Sequence, residues 1–162
     1  MKFIDLGLQL EPLRTKINKR IDLVLDSQSF IMGEEVYQLE ESLSDYVGDA
    51  RECVSCSSGT DALLMVLLAQ GIGPGDGVIT TPFTYVATAE VIALLGATPI
   101  FVDIDSESFN IDPKLIESNI MEQTNLNIKM IIPVNIFGLT ADYDSINEIA
   151  KKHNLFVLED AA

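Results

Sequence analysis

Ser57, Ser58, Gly59, Thr60 and Asp61 follow one another in "SSGTDA", between the runs "RECVSC" and "ALLMVLLAQ". A strand entering a helix through such a joint can bind an anion. Glycine lets a ligand approach the backbone because no Cβ stands in the way, and the free N–H groups and dipole of the first helical turn favour negative charge. The hydroxyls of Ser58 and Thr60 add donors. The same residues also spell a capping box, Ser58-x-x-Asp61, in which Asp61 reaches back to the cap. No lysine follows the glycine as a P-loop requires. Both readings stand.

A second joint, "TPFTYVATAEVI", carries Tyr85 in what reads as a first helical turn. Such a ring can lie flat on a heteroaromatic ligand or join the core. In "LEDAA", Asp160 falls at the carboxyl end of an apolar strand, where open α/β sheets bind ligands. Strand alternation turns the adjacent Glu159 to the other face, so the two form no catalytic dyad. A lone carboxylate there can hold a protonated ring nitrogen, or cap a helix that follows.

Other chemical residues point to structure. Cys53 and Cys56 form a CxxC, but in a strand three steps of about 3.3 Å set their Cα atoms about 10 Å apart, beyond the ~7 Å of a disulfide. They read as buried strand cysteines, and with a single histidine no zinc site is expected. "GIGPGDG" follows a helix and precedes a strand, so it is a turn and no dinucleotide fingerprint. "DIDSES" resembles the start of a calcium loop without its sixth-position glycine, and reads as a solvated strand end. His153 follows Lys151 and Lys152 at a helix C-terminus, where cations suit the dipole, and is expected at the surface.

These joints need elements to hold them. After an extended start, residues 12–27 place Leu13, Ile17, Ile21 and Leu25 on one helical stripe. Residues 34–48 repeat the pattern and end at Gly48, a C-cap. From there strands are expected at 51–56, 77–80, 98–103, 128–134 and 154–159, and helices at 60–71, 85–95, 112–121 and 142–152. Runs such as "MIIPV" and "LFVL" read as strands covered on both faces. The expected class is α/β, a mostly parallel central sheet with helices on both faces. The chain stops on a core strand, which reads as the front part of a longer, truncated fold.

The 162 residues suffice for one domain with a sizeable core. A mean hydropathy of +0.26 excludes a disordered acidic tail. With 25 acidic residues against 10 Lys and Arg, the formal charge is −15, which repels polyanions. Nucleic acid and anionic membranes are therefore not expected partners. Asp5 and Glu11 interrupt any signal-peptide core and no segment approaches ~20 apolar residues, so a cytoplasmic protein is expected.

Taken in order, "FIDL", "SFIMGEEVYQLEESLSDYVG", "SSGTDAL", "ITTPFTYVATAEVIALLGATPIFVDID" and "VLEDAA" resemble the DegT/DnrJ/EryC1/StrS family of sugar aminotransferases. The resemblance implies the fold type I large domain of a pyridoxal 5'-phosphate (PLP) enzyme, with residues 1–162 as its N-terminal part and the small domain beyond. It implies that Ser58, Gly59 and Thr60 bind the cofactor phosphate, that Tyr85 stacks on the pyridine ring, and that Asp160 pairs with the ring nitrogen. It implies a nucleotide-linked keto-sugar as substrate, an amino-acid donor, usually glutamate, a role in polysaccharide or glycan precursor synthesis, and a homodimer. Asn135 in "PVNIFGL" departs from the histidine of many relatives. The family's Schiff-base lysine lies beyond Ala162, so no residue of this chain is assigned the catalytic role, and Lys114, Lys129, Lys151 and Lys152 match no family position. A dehydratase branch that replaces that lysine by histidine, and a non-catalytic α/β module, are the alternatives.

Overall fold

The computed structural model describes residues 3–48 and 52–162. The chain forms two compact units, Met1–Ser55 and Cys56–Ala162.

The first unit is helical: α1 (Leu6–Leu10), α2 (Arg14–Ser27) and α3 (Glu34–Val47). The start is therefore not extended. Asp5 caps α1 by accepting from the Gly7 amide at 3.0 Å. The helix expected from residue 12 begins two residues later, because Pro12 brings no N–H to continue a ladder. Helix α3 stops at Gly48, whose φ of 79° favours glycine, as the C-cap reading requires. Arg20 ties α2 to α3 through Glu35 (2.5 Å) and Gln38 (2.7 Å).

The segment 52–56, expected as a strand, carries no ladder; residue 51 of that expectation lies outside the described residues. A strand needs a neighbouring backbone, and here the Ser55 amide donates instead to the Glu40 carboxylate at 2.7 Å. The cysteines are free and not buried in a strand: Cys53 is half-buried, and Cys56 is exposed with its Sγ 3.3 Å from the Ser58 carbonyl.

The second unit alternates. It runs α4 (Gly59–Ala69), β1 (Asp76–Thr80), α5 (Ala87–Leu94), β2 (Thr98–Phe101), α6 (Pro113–Glu122), β3 (Asn127–Ile131), α7 (Tyr143–His153) and β4 (Phe156–Val157). The four strands pair in parallel in the order β2-β1-β3-β4. The last strand is shorter than expected, but a parallel bridge from Val134 to Asp160 extends its pairing.

Side-chain alternation builds a core on each face. Val78, Met130 and Ile132 pack with Leu63 and Leu67 of α4 and Val91 and Ile92 of α5. Their neighbours Ile79 and Ile131 face the other way, onto Ile116 of α6 and Ile146 of α7. Every residue of β1 is buried. The expected α/β class, with helices on both faces of a parallel sheet, holds.

This order creates a switch point. From β1 the chain leaves through α5 toward β2, and from β3 it leaves through α7, on the opposite face, toward β4. The loops after adjacent β1 and β3 thus part, and a crevice opens at the carboxyl ends of the strands, where such sheets hold ligands.

Candidate functional site

At the amino end of α4, Ser58 is extended (φ −162°, ψ 164°) and its Oγ accepts from the Asp61 amide at 3.1 Å. Half of the expected capping box is present. The other half is not, because the Asp61 carboxylate takes the Ser57 hydroxyl instead of the Ser58 N–H. Those two serine hydroxyls, Ser57 foremost, hold the Asp61 carboxyl below the usual carboxylate range. The Gly59 and Thr60 amides donate to no acceptor among the described residues. Two free N–H groups at a helix N-terminus are suited to an anion.

These amides border a cleft of about 240 Å³ at the switch point. Gly59, Thr60 and Leu63 form one wall, Thr84, Tyr85 and Thr88 another, and Val134, Ile136 and Asp160 close it. Four of the five residues singled out for the cofactor therefore line one space. Ser58 does not; it is occupied as the cap. Tyr85 lies just before α5, not in its first turn, and the residue is 72% exposed. The loops after β1, β2 and β3 are tied together by Phe83, Phe109 and Phe137, whose ring centroids stand 5.8–6.0 Å apart.

Asp160 is buried, only 7% exposed. Its backbone continues the sheet, with the Asp160 amide donating to Pro133 and its carbonyl accepting from Asn135, both at 3.0 Å. Its carboxylate accepts from the Thr88 hydroxyl at 2.8 Å and from the Ala162 amide at 3.3 Å. It has no cationic partner among the described residues. A buried carboxylate with only neutral donors, facing a cleft, calls for a cation.

Glu159 points elsewhere, as alternation requires: it is exposed and accepts from the Asn135 side-chain amide at 2.5 Å. Asn135 is thereby turned away from the cleft and also accepts from the Ala141 amide at 2.9 Å. Among the described residues no lysine lines the cleft. Lys129 pairs with Asp76 at 2.9 Å, and Lys152 with Glu117 at 2.7 Å. His153 stays partly at the surface, its side chain 25% exposed, and its Nε2 meets the same Glu117 oxygen at 2.8 Å, joining α7 to α6. Asp105 of "DIDSES" spends its Oδ1 on the Glu107 and Ser108 amides and the Ser108 hydroxyl, a closed local turn.

A second groove, about 390 Å³, lies among Ile17, Ile21 and Val24 in the helical unit. It holds no buried polar group, so the smaller cleft is the candidate site. The residues missed from sequence are Thr84 and Thr88, whose hydroxyls stand 3.0 Å apart. Their four-residue spacing was visible, but the partner of Thr88 lies 72 positions further on.

At its switch point this parallel α/β sheet brings together free helix amides suited to an anion, an exposed tyrosine and a buried carboxylate suited to a cation. The DegT/DnrJ/EryC1/StrS aminotransferase family matches residues 12–162, and the chain belongs to this family. It is 51% identical over 162 residues to the UDP-2-acetamido-2-deoxy-3-oxo-D-glucuronate aminotransferase of Pseudomonas aeruginosa, covering all of this chain and 44% of the relative. The crystal structure of a DegT DnrJ EryC1 StrS aminotransferase from Brucella abortus superposes with a TM-score of 0.95 at 43% identity, over the whole chain and 44% of that protein. NtdA of Bacillus subtilis, solved with bound cofactor PMP, superposes with a TM-score of 0.83 at 38% identity over 90% of this chain and 32% of its own. The chain thus spans less than half the length of these relatives.

Proposed function

We propose that this chain is the cofactor-cradling part of a PLP-dependent aminotransferase that acts on a keto-sugar linked to a nucleoside diphosphate, with an amino acid such as glutamate as donor. Residues 1–162 would be the N-terminal part of its large domain. The Schiff-base lysine would lie beyond Ala162, and the whole protein would work as a cytoplasmic homodimer in glycan precursor synthesis. The names of the relatives support the substrate class; the chain's own residues support the cofactor.

One observation supports the reading: Asp160 is buried, with no cationic partner among the described residues, in the cleft that Gly59, Thr60 and Tyr85 also line. PLP presents a phosphate, a flat ring and a ring nitrogen that can be protonated, and when bound it supplies an electron sink for the substrate carbon. The Gly59 and Thr60 amides and the Thr60 hydroxyl would hold the phosphate, with Ser58 shaping their turn as its cap. Tyr85 would cover the ring face. Asp160 would hold a proton on the ring nitrogen.

A carboxylate about 3 Å from a pyridinium gains ~5–6 kcal/mol at an effective dielectric of ~20, before desolvation is subtracted. If half survives as a preference for the protonated ring, its loss is roughly a hundredfold in rate. Asp160→Ala in the whole protein should keep cofactor yet transaminate at least ~100-fold more slowly. Single-turnover measurement under saturating cofactor checks this; a rate within a fewfold of wild type would reduce Asp160 to a structural residue.

A further inference from the structure

Thr88 is almost completely buried, 1% exposed, and its Oγ1 has three polar neighbours. They are the Asp160 Oδ2 at 2.8 Å, the Thr84 Oγ1 at 3.0 Å and the Tyr85 carbonyl at 3.3 Å. A hydroxyl has one proton to give and lone pairs to receive. Neither the carbonyl nor an ionised carboxylate can donate, so only Thr84 can donate to Thr88. The single Thr88 proton goes to the nearest and most negative acceptor, Asp160. The chain of donors therefore has one direction, from Thr84 to Thr88 to Asp160.

This leaves the two carboxylate oxygens unequal. Oδ2 is held by a short bond from a buried side chain, while Oδ1 receives only the Ala162 amide at 3.3 Å. The oxygen with more spare acceptor capacity is Oδ1. The same donors link the loop that carries Tyr85 to the strand end that carries Asp160, elements separated by 72 positions in sequence.

We infer that Thr88 is the positioning residue of Asp160: its hydroxyl, oriented by Thr84, pins Oδ2 so that Oδ1 is presented to the protonated ring nitrogen of the cofactor. This rests on the proposed pairing of Asp160 with that nitrogen. Thr88 acts through the carboxylate, by fixing its rotation and withholding one oxygen from the ligand.

The test uses the complete holoenzyme reconstituted with PLP labelled with 15N at the ring nitrogen. The 15N shift is followed against pH, and the half-reaction with amino donor is timed. Thr88→Val keeps the β-branched shape and removes the hydroxyl; Thr88→Ser keeps the hydroxyl and removes the methyl. In Thr88→Val the midpoint of ring-nitrogen deprotonation should fall by about one pH unit or more, a tenfold change in the ratio of protonated to neutral ring, with a similar slowing of the half-reaction where the neutral form dominates. Thr88→Ser should titrate with wild type. Should Thr88→Val not fold, Thr88→Ala against Thr88→Ser makes the same comparison. A hydroxyl-free variant titrating with wild type overturns the inference, and so does Thr88→Ser shifting as far as Thr88→Val, since bulk and not the hydroxyl would then matter. Asp160→Asn separates the two claims. If it moves the nitrogen midpoint while Thr88→Val does not, only the positioning role falls; if it moves nothing, the pairing itself falls with it.

Discussion

Glycine is among the poorest helix formers, yet Gly59 occupies the first position of α4. Nothing in the fold demands it. A Cβ built there would meet only the Ala162 Cβ, at 3.9 Å, an ordinary contact. What the missing Cβ leaves open is the cleft wall between Gly59 and Ala162. Gly59→Val should therefore leave the melting of the cofactor-free protein unchanged or slightly raised, while cofactor affinity falls by at least ~1–2 kcal/mol as one or two charge-assisted hydrogen bonds are lost. Thermal melts and a cofactor titration check the pair of effects; full affinity in a folded variant would return the joint to a plain cap. Tyr143 gives a second residue-scale expectation. Burial, then the negative charge of Glu159, pushes its phenol up to about 12. An unfolded tyrosine ionises near about 10. Between these values the unfolded chain has released a proton that the native state keeps, so this contribution to stability is whole below about pH 10 and is lost as pH rises toward about 12. The melting temperature of wild type should therefore fall relative to that of Tyr143→Phe as pH rises through that window; parallel profiles would show that Tyr143 is not responsible.

At the scale of elements, the amino ends of β1 and β3 are knitted by one carboxylate. Asp76 is buried at the first residue of β1, where it meets Lys129 of β3 at 2.9 Å, the Gly73 amide at 2.9 Å and the Asn127 side-chain amide at 3.1 Å. Burial alone would raise its pKa, but the Lys129 ammonium and the two N–H donors outweigh it and hold the carboxyl below its ordinary value. The stabilisation is therefore present above the unfolded carboxylate pKa and is lost as pH falls through the lower folded one. Asp76→Asn should cost about 1–3 kcal/mol at neutral pH, the scale of charge-assisted hydrogen bonds, with the gap to wild type narrowing in acid. Urea melts at two pH values check it; a gap that stays constant would assign the loss to shape and not charge. The aspartate was plain in "GPGDG", but its partner Lys129 becomes a neighbour only when β1 and β3 pair.

For the whole molecule, the two units differ in what they bury. No residue of α1, α2 or α3 is buried, and the stripe Leu13, Ile17, Ile21 and Leu25 stays 41–56% exposed. The sheet unit completes a core on each face. Burial supplies most of the free energy that resists local opening, so the two should exchange amides very differently. In the 162-residue chain, amides of α2 and α3 should exchange at least ~100-fold faster than those of β1 and β3. Hydrogen exchange read by mass spectrometry checks it, and equal protection would mean the helices are covered in solution. Dye binding to the exposed apolar stripe should accompany the difference.

The sequence by itself determined what depends on near neighbours in the chain. Alternation in "MIIPV" sent Met130 and Ile132 to one face and Ile131 to the other, which carried the α/β class with helices on both sides. The caps at Ser58 and Gly48 were legible because their partners lie within four residues. The strand expected at 51–56 does not form over its described residues 52–56, because a ladder needs a neighbour's backbone and local sequence does not supply one. The gathering of Gly59, Thr60, Tyr85 and Asp160 around one cleft was suggested only by resemblance to a family, never by spacing. Tertiary structure alone decided that Thr88 would find Asp160, that Asn135 would turn to Glu159, and that His153 would meet Glu117. Each of these contacts joins residues 24 to 72 positions apart. They exist because parallel strands return to the same edge after every crossover, and chain periodicity carries no information about which returning residue will stand beside which.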